Sequence, residues 1–549
     1  MQTHFFYGNF ATTMKISMGR YWNLCLSVLF GIGVFLFWYL VYPHALSYQE
    51  QYQLFLWTGD YFCERISVPG GMSEWLGEFI VQFYYVEWLG ALLLAFLFVA
   101  LQRVVWCTMG AGHYLLSFVP SVLLFWLLGD PSVLLGYVWA LLIAVGAYAL
   151  NKGRAMKSLM ADALLVPVVY WLAGPLAWVY VLLRLLGGAW RLSWMMPFYL
   201  FSLQMMACYC LLPQWTAEMV FQPMQFYRIP LQLSTLMWVI PFVTILVVLF
   251  SRQKSAAWLV PVEGAMLAVL CWLGIGSGYE KDMYELIRQD YLVRNERWNE
   301  IVERAQEYQV HTPFSSVCVN LALSQQRQLA ERMFEFYQSG EDALIMPSIR
   351  DLTSMLPTSE VFWHLGMVNS AQRYVFDTQE SILNGRKSGR CTKRIAECMI
   401  VNGHYGPARK QMNLLKKTLF YRHWAYETEQ LLGNEQRVNA HPVYGLLRKL
   451  RFKENYLFSF AEIEKMVGLL FMNNRENRMA LDYFIGQLLL KGDLQGFQQY
   501  MGWVQQYGGY RYMPVGYQDV MKCIQQKGNV PGSPYAAYAK RMMQKGGGE

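Results

Sequence analysis

Residues 44–78 read HALSYQEQYQLFLWTGDYFCERISVPGGMSEWLGE and separate the first two strongly apolar segments of the chain. This stretch, called the acidic segment below, is too polar to cross a membrane. It concentrates acidic residues in a region of the chain where acids are scarce. Its composition predicts a loop outside a membrane, and we expect any chemistry of this protein to involve it. The acids are Glu50, Asp60, Glu64, Glu74 and Glu78.

Charged residues are distributed unevenly along the 549 residues of the chain. Of the 46 Lys and Arg residues, 12 fall within residues 1–279 and the other 34 within residues 280–549. This contrast predicts two domains, a polytopic transmembrane domain over 1–279 and a soluble domain over 280–549. The net charge of +8 is dispersed, and the absence of a basic run gives no indication of nucleic-acid binding.

The first domain contains several segments of about 20 apolar residues, the length that crosses a bilayer. Lys and Arg accumulate on the cytoplasmic side of membrane proteins. Arg103 and the cations of residues 152–157 therefore place the acidic segment outside. The aromatic stretch 72–88 predicts a helix in the membrane interface ahead of the second span. The predicted spans are residues 22–42, 79–101, 113–128, 132–150, 194–212, 233–250 and 257–275.

Residues 164–186 allow two interpretations because Ala173-Gly174-Pro175 lies at their centre. Proline interrupts a helix, since it lacks the N–H and clashes with the preceding turn. Two short helices folded back at this point would leave the following arginines in the cytoplasm and the C-terminal domain outside. A single continuous span would put that domain in the cytoplasm. The distribution of positive charge favours the folded-back arrangement.

Other polar residues give weaker signals. Glu263 lies in the last apolar segment, where an ionisable residue is a functional-site candidate, although a solvated position at the cytoplasmic interface explains it slightly better. Cys391 and Cys398 would form a disulfide only in an oxidising compartment. The sequence has no phosphate-binding glycine loop, no HExxH motif and no zinc-finger spacing. No cofactor is predicted; a divalent metal is the alternative, although no ligand motif marks a site for it.

The second domain has helical periodicity almost throughout. Residues 291–308, 362–376, 393–417 and 479–501 each resemble a helix pair of the tetratricopeptide type, with a small residue at the turn and an aromatic residue soon after. The resemblance implies an all-α fold in which a membrane domain is followed by an α-solenoid. Such solenoids bind peptides or partner proteins. The alternative is a helical support for the membrane domain.

The first 280 residues resemble the GT-C class of membrane glycosyltransferases. YQEQYQLF at 48–55 stands where that class has an acidic motif after its first span, and SVPGGMSEWL at 67–76 stands where its later Pro/Gly stretch lies. A single Glu50 replaces the usual acidic pair, and the metal-binding DxD is absent. The whole chain is similar to a Bacteroidota membrane family with a repeat tail, a resemblance that supplies no activity. Both imply a multi-pass protein of the bacterial inner membrane with a periplasmic C-terminal domain.

The GT-C resemblance implies sugar transfer from a polyprenyl-phosphate-type donor to a glycan or protein acceptor held by the helical tail. A carboxylate then serves as general base on the acceptor hydroxyl. Glu50 is the first choice for this role and Asp60 the second. The remaining substrate-binding candidates are His44, Gln51, Glu64, Arg65 and Arg228, of which the two arginines would bind the departing phosphate. The alternatives are that these acids are solvated and that the protein is a non-enzymatic membrane scaffold for envelope assembly.

Overall fold

The computed structural model describes residues 21–546 except for several short stretches. Within the described residues the secondary structure is helical and contains no β-strand, so the all-α prediction is confirmed. The chain divides into two compact units, Met1–Lys281 and Asp282–Glu549. The stretches outside the description are 111, 152–158, 188–193, 225–233, 253–255, 257, 349–354, 383–384, 453–458, 507–509 and 529.

The first unit contains thirteen helices among its described residues. They are α1 (Tyr21–Val41), α2 (Pro43–Glu50), α3 (Gly59–Ile66), α4 (Gly71–Val81), α5 (Glu87–Thr108), α6 (Val119–Leu127), α7 (Gly136–Asn151), α8 (Leu159–Ala173), α9 (Ala177–Leu186), α10 (Met195–Met206), α11 (Ala217–Phe221), α12 (Leu236–Phe250) and α13 (Leu259–Gly278).

Four helical stretches of the first unit have the length and apolar composition of membrane-spanning helices. Shorter apolar helices accompany them at Leu115–Leu127, Gly136–Asn151, Met195–Leu211 and Leu236–Phe250. By length and composition, four helices of this unit could therefore each cross a bilayer. The four stretches are Tyr21–Val41, Glu87–Thr108, Ala161–Leu186 and Leu259–Gly278.

The second span begins later than predicted. The sequence places its start at residue 79, but α4 ends at Val81 and a 3-10 turn, Gln82–Tyr85, separates it from α5. The side chain of Tyr84 folds against α5, where a Cβ on Gly90 would lie 2.6 Å from the Tyr84 ring. Hydropathy alone does not locate this turn, because apolar residues continue through it.

The apolar stretch from α8 to α9 is a hairpin folded at Gly174. Gly174 has a φ of +59°, and a 3-10 turn, Gly174–Leu176, joins the two helices. Arg184 Nη2 lies 2.6 Å from Asp162 Oδ2, whereas a straight helix would separate these residues by about 33 Å. The folded-back interpretation of residues 164–186 is therefore confirmed, although the stretch is long enough to cross a membrane once.

The acidic segment is mostly helical, and the helix predicted from the aromatic stretch 72–88 is present over Gly71–Val81. It contains most of α2 and all of α3, and α4 begins within it. Thr58 caps α3 by accepting a hydrogen bond from the Tyr61 N–H at 3.3 Å, an arrangement that favours helix initiation. Gly70, with φ of +84°, turns the chain into α4. Its N–H donates to the Trp171 carbonyl at 2.9 Å, which ties the segment to the tip of the α8–α9 hairpin.

The second unit consists of further helices, many of them paired. Gly366, Gly403 and Gly492 have positive φ and turn the chain between consecutive helices, as expected for short helix-pair connections. The helices are α14 (Lys281–Arg294), α15 (Trp298–Glu307), α16 (Pro313–Gln325), α17 (Leu329–Arg332), α18 (Met355–Leu365), α19 (Val368–Ser381), α20 (Gly389–Val401), α21 (Tyr405–Leu415), α22 (Arg422–Glu429), α23 (Glu435–Ala440), α24 (Pro442–Leu450), α25 (Ile463–Asn473), α26 (Arg478–Lys491), α27 (Leu494–Gln506), α28 (Val515–Gln525) and α29 (Pro534–Gly546).

Three helices of the second unit are buried on all sides. α16, α18 and α26 each have long runs of buried residues, and α26 packs against both others. A helix without a solvent-exposed face needs neighbours around its whole circumference. The centre of this unit is therefore a closed core.

Cys391 and Cys398 do not form a disulfide. Both are free thiols buried on α20. Seven residues of helix separate them by about 10 Å, which is beyond the reach of a disulfide. Burial raises the pKa of the Cys391 thiol to about 11, so this thiol is unreactive at neutral pH.

Candidate functional site

The first half of the acidic segment is polar in sequence yet buried in the structure. α2 packs against the 3-10 turn Gln82–Tyr85 and against α5, and Pro43 at its first turn favours helix formation. Gln51 Nε2 donates to the Tyr52 hydroxyl at 3.0 Å. The buried polar side chains are His44, Ser47, Gln49, Glu50, Gln51 and Gln53, each at most 9% exposed.

Glu50 lies at the C-terminal end of α2 and is 4% exposed. It is therefore not a solvated loop acid. Burying a carboxylate is costly unless it is paired or hydrogen-bonded, and the chain on either side of Glu50 is also polar and buried, with His44, Gln51 and Gln53. Three of the predicted site residues, His44, Glu50 and Gln51, thus share one buried element. A buried carboxylate in a polar environment can act as a general base once an acceptor hydroxyl reaches it.

Asp60 and Glu64 lie on α3 and are exposed. Their spacing of four residues places both carboxylates on one face of the helix. These two acids are solvated, in contrast to Glu50. Their assignment as catalytic and substrate-binding residues stays a prediction.

Arg65 is engaged with an acid that the sequence analysis did not select. Its Nε lies 3.1 Å from Glu78 Oε2, and the Tyr61 hydroxyl donates to the same carboxylate oxygen. The Arg65 guanidinium also lies 4.9 Å from the centre of the Tyr61 ring. Glu78 is 1% exposed. These three side chains connect α3 to α4.

The electrostatics of this cluster follow from burial and from the Glu78 carboxylate. Burial raises the pKa of the Tyr61 hydroxyl well above its usual range, and Glu78 raises it further. Burial is the largest single effect on Arg65 and would lower its pKa, but Glu78 and Tyr61 together act against burial and the pKa is raised. Tyr61 therefore remains a proton donor and Arg65 remains a cation at every physiological pH.

Tyr61 stands four residues before Arg65, on the same face of α3, whereas nothing in the spacing relates Glu78 to Arg65. Glu78 stands thirteen residues beyond Arg65 and on a different helix, so only the fold brings the two together. A weak signal was available, since Glu78 is the last acid before an apolar run and an acid there requires a partner. Arg228, the other predicted phosphate ligand, lies outside the described residues.

An aromatic cluster lies beside this ion pair. Trp57 is 53% exposed, and its indole N–H donates to Gln82 Oε1 at 3.0 Å. Neighbouring rings of the cluster contact one another, with their centroids 5.1–5.8 Å apart. Partly exposed aromatic rings are typical of the boundary between membrane and water. The cluster consists of Phe55, Trp57, Phe62, Trp75, Phe79 and Phe83.

Glu263 is buried and pairs with a histidine, so the solvated interpretation of this residue was wrong. Its Oε1 lies 2.7 Å from His113 Nδ1, and both side chains are at most 6% exposed. The pair connects α13 to the turn that precedes α6. Among the described residues, no group of three His, Cys, Asp or Glu side chains is arranged to hold a metal ion.

A protein-family model matches residues 20–544 and hence nearly the whole chain. The chain belongs to the family of unknown function DUF6057. No curated protein matches this DUF6057 member, and no solved structure does. The acidic segment lies within the matched residues, and the match covers most of both units.

Proposed function

We propose that this DUF6057 protein is a membrane glycosyltransferase of the GT-C type. It transfers a sugar from a polyprenyl-phosphate-type donor to a glycan or protein acceptor outside the cytoplasm. The observation that carries the proposal is the buried carboxylate of Glu50 on α2, within a polar stretch that directly follows an apolar helix of membrane-spanning length. Because burying a carboxylate costs free energy, the burial of Glu50 supports a functional role for it.

In the proposed reaction, Glu50 accepts the proton of the acceptor hydroxyl as the acceptor oxygen bonds to the anomeric carbon of the sugar. The bond from that carbon to the phosphate oxygen breaks, and the electron pair leaves with the lipid phosphate. Arg65 and Arg228 stabilise the departing phosphate. His44 and Gln51 orient the sugar hydroxyls, while Asp60 and Glu64 contact the acceptor at the surface.

The proposed membrane topology rests on the distribution of positive charge and on the α8–α9 hairpin. Because the hairpin returns the chain to the side where it entered, Arg103, Arg184 and Arg252 all lie on the cytoplasmic side when the apolar helices alternate across the membrane. The acidic segment and the second unit are then both outside. In a bacterial inner membrane, this outer side is the periplasm.

We further propose that the second unit is a tetratricopeptide-like solenoid that binds the acceptor. The support is its series of helix pairs turned at residues with positive φ. Since α16, α18 and α26 are buried, the binding surface falls on the outer helices. Tyr426, Val443 and Leu446 expose 44–57% of their surface there and provide apolar contacts.

The test is Glu50→Gln, which keeps the shape of the side chain and removes its basicity. A strain that lacks the gene is complemented with wild type, with Glu50→Gln or with the control Glu74→Gln, and envelope glycans are profiled by mass spectrometry. We expect Glu50→Gln to lose the glycan product at unchanged protein level and thermal stability, while Glu74→Gln restores it. Full restoration by Glu50→Gln would contradict the catalytic role.

The exposed apolar side chains of the second unit favour one alternative, a membrane-anchored scaffold. On that account, Glu50→Gln behaves as wild type, whereas the double substitution Tyr426→Ser and Leu446→Ser releases a partner that co-purifies with the wild type. The scaffold alternative is excluded if Glu50→Gln loses the glycan product and the double variant retains the partner.

A further inference from the structure

A cavity of about 360 Å³ opens between α20, α22 and α24 of the second unit. Concave sites of a few hundred Å³ are typical of binding pockets for small ligands or single side chains. The lining combines carboxylates, aromatic rings and aliphatic groups, and none of the described residues that line it is a lysine or an arginine. Six of the lining residues are Glu397 from α20, Trp424 and Glu427 from α22, and His441, Val443 and Tyr444 at the start of α24.

Tyr444 is the most deeply buried of these six residues, at 3% exposed. Its hydroxyl hydrogen-bonds to Glu397 and to the indole of Trp424. Burial raises the pKa of this hydroxyl well above its usual range, and the charge of Glu397 raises it further. Tyr444 therefore keeps its proton and donates it to the carboxylate, which holds an acid and an aromatic ring side by side in the cavity wall.

His441 adds a second aromatic ring but no charge. Its ring stacks on Tyr444, with the two centroids 4.2 Å apart. His441 Nδ1 accepts hydrogen bonds from the N–H groups of Val443 and Tyr444, each at 3.3 Å, so the proton of the neutral ring lies on Nε2. Burial lowers the pKa of this imidazole, although Glu397 acts in the opposite direction. The lining therefore carries no positive charge at neutral pH.

Glu397 ends a chain of ion pairs that runs through the second unit. Arg394 lies 3.0 Å from Glu397 and 2.6 Å from Glu360. Arg390 lies 3.9 Å from Glu360 and 2.7 Å from Asp290. This chain joins three carboxylates with two guanidinium groups, and its end at the cavity is an acid. The Glu397 carboxylate shares its arginine with a second acid and is therefore only partly neutralised.

The outer part of the cavity also attracts cations. Glu427 is exposed and pairs with His423 at 3.1 Å, on a histidine that is itself 82% exposed. An exposed pair of this kind is weak, so Glu427 can exchange its partner for another cation. Lys393 Nζ lies 5.2 Å from the centre of the Trp424 ring. The chain thus already places an ammonium on this indole, whose face attracts positive charge.

We propose that the cavity binds the side chain of a lysine from a partner protein. The ammonium lies against Trp424 and between the carboxylates of Glu397 and Glu427, which match a compact positive charge. The aliphatic part of the lysine packs on Val443, and Leu446, one helical turn farther along α24, is exposed beside it for the flanking residues of the partner. This proposal narrows the partner-binding role of the second unit and rests on that role, but not on the transfer of a sugar.

The test measures binding of Nα-acetyl-lysine methylamide to the full chain in maltoside micelles by saturation-transfer NMR. The same amide acetylated on Nε is the neutral probe, and choline is the small-molecule probe. Trp424→Leu and Glu427→Gln change the cavity, and Lys393→Met removes the competing ammonium. Glu303→Gln is the matched control, since Glu303 is an exposed acid on α15 outside the cavity. Glu50→Gln is included to separate lysine binding from catalysis.

We expect saturable binding of the lysine probe to the wild type, to Glu303→Gln and to Glu50→Gln. The dissociation constant should rise about two- to fivefold in Glu427→Gln and about tenfold in Trp424→Leu, at unchanged thermal stability. In Lys393→Met it should fall about twofold, because a like charge is removed. The neutral probe should not bind.

Equal dissociation constants in the wild type and in both cavity variants would overturn the proposal, and so would the absence of saturable binding or equal binding of the neutral probe. Tighter binding of choline than of the lysine probe would replace the partner protein by a small quaternary ammonium ligand. Loss of the glycan product in Glu50→Gln with unchanged lysine binding would leave both proposals standing, whereas a Glu50→Gln protein that retains the product would refute catalysis alone.

Discussion

Removal of the Arg184 side chain is expected to destabilise the α8–α9 hairpin severely. Asp162 accepts hydrogen bonds from Arg184 Nε at 2.9 Å and Nη2 at 2.6 Å, and from Tyr180 and Asn151 at 2.9 and 3.0 Å. Arg184 and Asp162 are 1% and 3% exposed. Removing one partner of a buried ion pair costs about 3–5 kcal/mol, because the other charge stays buried without compensation. The free energy of unfolding of Arg184→Leu should therefore be lower than that of the wild type by about 3–5 kcal/mol.

The assay is unfolding by SDS titration in mixed micelles, followed by circular dichroism. The double variant Asp162→Asn with Arg184→Leu is the control, because an amide at 162 still accepts from Tyr180 and Asn151 while no charge remains buried. We expect this double variant to recover at least half of the loss. If the free energy of unfolding of Arg184→Leu lies within about 1 kcal/mol of the wild-type value, the buried pair does not hold the hairpin closed.

Three further predictions concern packing and titration. Gly77→Ala should weaken the contact of α4 with α7, since its Cβ would lie 2.5 Å from the Gly136 nitrogen; a lower midpoint in the same SDS titration is expected, and an unchanged midpoint would contradict it. Gly366→Ala should cost about 1–3 kcal/mol, because its φ is +85° and its Cβ would lie 2.7 Å from Leu450; urea unfolding of the full chain measures this, and a stability equal to wild type refutes it. Burial raises the pKa of the Asp482 carboxyl to about 6, so the folded state keeps a proton that the unfolded state has lost, and stability falls as pH rises from about 4 to about 6. Asp482→Asn should remove that fall in thermal melts, and an identical pH profile for both proteins would contradict it.

The sequence alone predicts the helical class and the turn at Gly174. The turn depends largely on local chemistry, because Gly-Pro disfavours a continuous helix, and the distribution of positive charge supports it. Apolar periodicity also identifies most of the long helices, but not the start of α5, since hydropathy does not change across the turn Gln82–Tyr85. The aromatic stretch 72–88 predicts a helix where α4 lies, whereas α2 was not predicted because its polar residues are buried by tertiary contacts.

The candidate site also combines residues that the sequence identifies with residues that only helix packing brings together. His44, Glu50 and Gln51 were selected by their position after the first apolar segment, and they share one buried stretch of chain. The pairs of Glu78 with Arg65 and of Glu263 with His113 join residues 13 and 150 positions apart. Such pairs depend on how helices pack, and no local spacing encodes them.

The most direct test of the account is the side of the membrane on which the chain ends. Alkaline phosphatase, which is active only outside the cytoplasm, is fused after Glu549 and, in a second protein, after Trp57. The account predicts high activity for both fusions, because the α8–α9 hairpin returns the chain to its side of entry. An inactive fusion after Glu549, with an active one after Trp57, would contradict the account, since the acidic segment and the second unit would then lie on opposite sides.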